Sequence, residues 1–151
     1  MNIRPLIFLL FFISPAFCFG NNRVSEDQII GKWMSTKENV MVNVYKSGNQ
    51  FKAKVVWFND SDDPSSPMNV RCDVRNANKA LRKQRIIGMD VLKQLKYNSS
   101  TGRWENGIIY DANSGREWSS VIYFNDDGLL EVKGYWQFEF LCKTITFTRV
   151  N

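Results

Sequence analysis
The sequence predicts an all-β fold: an eight-stranded antiparallel up-and-down barrel with one short N-terminal helical turn and one long loop. Three observations predict it. Apolar residues alternate with polar ones in period two along most of the chain. Compact clusters of Asn, Asp, Ser and Gly separate the alternating stretches at regular intervals beyond Tyr97. Consecutive antiparallel strands joined by short turns close most naturally into a barrel, because closure leaves no unpaired edge to aggregate. The composition suits one soluble globular domain: of 151 residues, 44% are apolar and 23% are charged.

Residues 1–20 read as a secretory signal peptide. Arg4 supplies the positive start, residues 6–13 form an unbroken apolar run, and Ser14 and Pro15 end it. That run is too short to cross a bilayer, which takes about 20 apolar residues. Small residues at Cys18 and Gly20 place the cut after Gly20, with a cut after Cys18 as the alternative. Phe17 is too bulky for the processing that lipidation of Cys18 would need. The expected product is a single barrel domain of residues 21–151, exported to the periplasm or secreted.

The elements follow in order. Ser25, Glu26, Asp27 and Gln28 have the spacing of a capping box, so a helical turn is expected to about Ile30. A strand near 32–36 contains Trp33. In 39–46 the apolar Val40, Val42 and Val44 alternate, and in 50–58 Phe51, Ala53, Val55 and Trp57 do so; the turn at 47–49 makes these a hairpin. The pattern then lapses over 59–84, which opens with Asp60, Asp62, Asp63, Pro64 and Pro67 and holds one helical turn near 79–83. A connection this long in a small domain is characteristically a lid or a binding loop. Strand character resumes at 86–97, where residues 91–95 read equally well as helix. Strands at 103–111, 116–124, 129–136 and 142–150 complete the eight, and Asn106-Gly107 marks a bulge in the first of these.

Chemistry is narrowed first by an absence. The chain has no histidine, which excludes Ser-His-Asp and Cys-His nucleophiles, histidine general bases and His-ligated zinc or haem. Asp60, Asp62 and Asp63 lack the spacing and distal Glu of a calcium loop and read as a turn. Glu105, Asp111 and Glu117 are the carboxylates that would have to serve as a glycosidase pair, and nothing in their spacing fixes a separation. No enzyme, cofactor or metal site is expected. With the leader removed, Cys72 and Cys142 remain; an even pair in an exported chain points to one disulfide, against the alternative of two free thiols.

Charge is concentrated. Residues 71–85 hold Arg71, Arg75, Lys79, Arg82, Lys83 and Arg85 against Asp73 alone, so the mature chain has one basic loop and is otherwise near neutral. Export and the absence of interleaved aromatic rings argue against nucleic acid. An acidic head group or an anionic lipid surface fits such a loop better.

Several segments carry a resemblance: Gly31-Lys32-Trp33, residues 53–57, Ile87-Gly88-Met89, residues 109–115, residues 130–135 and residues 143–150. In this order, with the late Arg149, the chain resembles the exported bacterial domain-of-unknown-function family 2147, which is similar to lipocalins. The resemblance implies a calycin-type barrel with an apolar interior and no catalytic residue to carry over. It also implies that Trp33 plugs the closed end with Arg149 across its ring, a structural pair. Ala112 stands where the family usually has Pro, and Phe147 where it often has Trp. The bulky stretch at 136–140 replaces a glycine-rich connection and brings rings that compete with a ligand for space.

The leading functional expectation is an exported lipocalin-like binding protein for a small apolar or amphiphilic ligand. Phe51, Val55, Trp57, Trp118 and Ile122 would line its interior, with Arg82 or Arg85 at the mouth. The alternative is a solid barrel, an envelope interaction module that sets its basic loop or the 136–140 stretch against a partner or an anionic lipid surface. An enzyme without histidine ranks third.

Overall fold
A computed structural model describes residues 24–136 and 142–150. Eight strands run in chain order: β1 (Gly31–Ser35), β2 (Val40–Ser47), β3 (Gln50–Phe58), β4 (Asp90–Asn98), β5 (Arg103–Asp111), β6 (Arg116–Phe124), β7 (Leu130–Tyr135) and β8 (Cys142–Val150). Each pairs antiparallel with the next, and β8 pairs with β1, which closes the barrel. The expected architecture is therefore present, together with the two short 3-10 turns at Glu26–Ile29 and Lys79–Leu81. The leader at 1–20 and its cleavage site lie outside the described residues, as do positions 137–140 of the bulky stretch.

Local chemistry accounts for the departures from the expected elements. Ser25 makes no side-chain cap, since the turn it precedes is a single 3-10 turn whose Glu26 carboxylate is held by Lys46 at 2.6 Å. Residues 91–95 are strand and not helix; Gln94 takes a positive φ of 63° beside a register shift between β3 and β4. The same device recurs on β5, where Asn106 has φ 59° next to the shift between Trp104 and Gly107. Another shift lies on β3, between the pairs Val42–Val55 and Met41–Trp57. Such bulges increase the local twist and coil a sheet towards closure.

One end of the barrel is plugged. Trp33, Phe51, Leu95 and Trp104 are each 2% exposed or less, and they pack with Ile29, Ile122 and Leu130. The N-terminal segment lies across this end because buried rings there need hydrogen-bond acceptors. Trp33 Nε1 donates to Ile29 O at 2.7 Å, Trp104 Nε1 to Glu26 O at 3.0 Å, and the Tyr97 hydroxyl to Val24 O at 2.6 Å. Arg149 closes the plug from β8. Its guanidinium stacks 4.4 Å from the Trp33 ring centroid, while Nη1 donates to Ile30 O at 2.8 Å and Nη2 to Gln28 O. Gly31, at φ 128°, makes this possible, since a Cβ there would come within 2.7 Å of Arg149 Nη1.

The expected Cys72–Cys142 disulfide is not formed; both thiols are free. Cys72 belongs to the connection between β3 and β4, where it bridges with Arg85 and its thiol donates to Val70 O and Lys83 O at 3.4 and 3.5 Å. Cys142 begins β8, which lies opposite β4 in the ring of eight strands.

Candidate functional site
The half of the barrel away from the plug is walled by apolar side chains that are only partly buried. Register fixes the inner wall, because directly paired residues share a face. Val42 is opposite buried Trp33, Ile109 opposite buried Leu92, and Val132 opposite buried Ile122. Val40, Val42, Ile109 and Val132 are nevertheless only half-buried, and Ile145, the β8 partner of Val132, is 38% exposed. Trp118, opposite Ile109, meets Trp136 edge to face at 6.1 Å and borders the same space. We refer to this partly exposed apolar wall above the packed floor as the well; Val40, Val42, Ile109 and Val132 also pack against the buried core.

The floor has a polar atom. Ser120 is fully buried between Gly107 on β5 and Gly134 on β7, and its Oγ has no hydrogen-bond partner. A Cβ on Gly107 would sit 2.3 Å from this oxygen and 2.8 Å from Leu95. The row of small residues is therefore occupied from the side by neighbouring chains.

Residues 59–89 leave the open rim after β3 and form a strap across the outside of the wall, which meets that rim again at the β5–β6 turn. Asp73, 1% exposed, is the pin: both of its carboxylate oxygens accept from the Tyr110 hydroxyl on β5, at 2.7 and 2.9 Å, and Asn76 Nδ2 donates to it at 2.7 Å. Burial, and then this carboxylate, push the Tyr110 hydroxyl pKa from 10.0 up to about 12. Arg75 Nη1 adds a bond to Asn113 O at 2.7 Å in the β5–β6 turn, where Gly115 lets the strap approach, since a Cβ there would lie 2.0 Å from Arg75 O. Beneath the strap lies an open cleft of about 480 Å³, lined by Lys54, Lys93, Ile108 and Tyr110 from the wall and by Leu81 and Gln84 from above. Lys93 is paired with Glu117 at 2.7 Å, and Asp90 accepts from the Tyr45 hydroxyl at 2.7 Å.

Of the expected ligand-lining residues, only Trp118 borders the well. Phe51 and Ile122 belong to the packed floor, and Val55, opposite Val42 on the inner wall, is itself buried. The β3 bulge sets Trp57 opposite Met41, on the face that Met34 shares and Trp33 does not. Arg82 and Arg85 sit on the strap and are exposed, and Arg82 Nε is spent on Asn76 O at 2.8 Å. Arg75 of the same basic loop is tied to the β5–β6 turn at the open rim. Val40, Val42, Ile109, Val132 and Ile145 are the wall residues that sequence reasoning missed. Their signal was distance from the plugged end, which alternation does not encode. The aspartates of the turn serve the strap itself: Asp60 accepts from Met68 N at 2.6 Å, Asp62 pairs with Arg71 at 2.8 Å, and Asp63 accepts from Ser65.

A closed antiparallel barrel with one plugged end and one apolar-walled end defines a lipocalin-like domain. Residues 31–149 match the family described as uncharacterized protein conserved in bacteria (DUF2147), and the chain belongs to that family. Among solved structures it is similar to protein HP1028 of Helicobacter pylori, whose description assigns that protein to the lipocalin family. The identity is 20%, the match covers 81% of this chain and 82% of that one, and the TM-score is 0.65. No curated protein matches the chain.

Proposed function
We propose that the protein binds and carries a small apolar or amphiphilic molecule in the upper half of its barrel. The observation that carries this reading is the partial exposure of Val40, Val42, Ile109, Val132 and Ile145 on the inner wall of a closed barrel. A barrel meant only as a scaffold would bury such residues, since each Å² of apolar surface left wet forfeits about 25 cal/mol. An eight-strand barrel has room for one small ligand. The likeness to a protein described as a lipocalin supports the same reading at the level of fold. The ligand's polar end faces outward past Trp118 and Trp136, because the floor offers one hydroxyl and no charge. Native mass spectrometry of freshly purified protein, organic extraction, and a fatty-acid displacement titration test the proposal. Co-purification of a ligand or saturable one-to-one binding is expected. Failure of a broad panel of hydrophobes to bind saturably would leave the solid-barrel interaction module in its place.

A further inference from the structure
We propose that the outer face of the strap docks the protein on an anionic lipid surface. The inference concerns where the molecule works and does not depend on what the barrel holds. The strap doubles back on itself as a short ribbon: Cys72 bridges with Arg85, Asp73 N donates to Gln84 O at 2.9 Å, and Ile86 N donates to Arg71 O at 3.0 Å. One face of the ribbon is committed to the protein, with Asp73 buried against Tyr110 and Gln84 lining the cleft. Neighbouring residues on an extended chain point to opposite sides, so Cys72 and Arg85 belong to the other face.

The cations of the strap divide in the same way. Arg71 stacks on Phe58, pairs with Asp62 and donates to Ser66 O; Arg75 and Arg82 are held by backbone carbonyls. Lys79, Lys83 and Arg85 are exposed and have no ion pair or side-chain hydrogen bond among the described residues. Aliphatic side chains of the strap stand without cover: Val74 is 67% exposed and Val70 49%. These are two of the six large apolar residues that the described surface exposes, and they stand four residues apart in the strap. Aliphatic tips next to unpaired, flexible cations suit a bilayer surface, where the tips enter the head-group boundary and the cations meet anionic lipids. A protein partner would call for the aromatic anchors that this face lacks. Because Asp73 and Arg75 pin the strap to the wall, the patch is already ordered before it meets the surface.

The full mature protein, mixed with vesicles of phosphatidylglycerol and phosphatidylcholine, should co-sediment at low salt and be released as salt shortens the screening length. Vesicles of phosphatidylcholine alone should leave it in solution. Replacing Lys79, Lys83 and Arg85 together by Gln should weaken association by at least about tenfold, and Val74→Asp should weaken it separately. The same loss of charge at Lys32, Lys37 and Lys96 should change association little. No association, equal binding to neutral vesicles, or equal loss in the two triple variants would overturn the proposal. Ligand titration without vesicles should be the same for all variants, so failure here and failure of the carrier reading are read on different measurements.

Discussion

Arg149 does two jobs with one planar group, stacking on Trp33 and holding the carbonyls of Gln28 and Ile30. Truncating it removes a cation from the ring and leaves two carbonyls without their donor. Arg149→Ala should therefore lower stability by about 1–3 kcal/mol, read as a fall in the denaturation midpoint. Ligand affinity should survive, because the well is at the other end; an unchanged midpoint would remove the stack from the closure. Ser120 predicts the opposite sign. Its buried hydroxyl lacks a partner, so Ser120→Ala should raise stability by about 1 kcal/mol. A drop of that size in the same unfolding experiment would show that the hydroxyl is satisfied, by bound water for example. The Trp33–Arg149 pair was legible through the family resemblance, whereas Ser120 was not, because its isolation depends on Gly107 and Gly134 standing beside it in space.

The strap is the element that sequence reading located but could not trace. Its length, its turn-forming start and its helical turn at 79–81 were all visible in composition. Its path was not, since it depends on one Asp73–Tyr110 contact between residues 37 positions apart. Tyr110→Phe deletes the donor that both carboxylate oxygens of a buried Asp73 use, and should cost about 1–3 kcal/mol. It should also free residues 79–85 for tryptic cleavage in native protein, and a digestion rate equal to wild type would show that the pin is dispensable. The pH dependence has a defined sign. Tyr45 and Tyr110 have hydroxyl pKa values raised from 10.0 to about 12 in the folded protein. Between those values the unfolded chain gives up protons that the folded one retains. The stabilising contribution is complete below pH about 10 and is lost as pH rises towards about 12. Chemical denaturation across that window should show falling stability, with a shallower fall in Tyr110→Phe. Bulges set the other limit of legibility at this scale: the slip on β3 that carries Trp57 out of phase with Val55 leaves no mark on the alternation that predicted both as inward.

Across the whole molecule, the eight strands, their order and the single domain could be read from period-two patterning and turn residues, because those are local signals. What separates the two ends of the barrel is not local. Phe51, Ile122, Ile109 and Val132 are all apolar residues on inward positions, yet the first two are packed under the plug and the last two are only partly buried beside it. The division is made by the N-terminal segment crossing one end only, held by Trp33, Trp104 and Tyr97. Residue parity along the chain is likewise not a spatial signal, and the expected disulfide is absent, with Cys72 and Cys142 both free. The account's central claim is that the upper half of the barrel is a ligand site. Titration of an apolar fluorescent probe into wild type and into Val132→Trp tests it most directly, because the added indole occupies the well without touching the plug. Saturable binding by wild type, weakened at least about tenfold in a variant that remains folded, is the predicted result; equal affinity in the two proteins would contradict it.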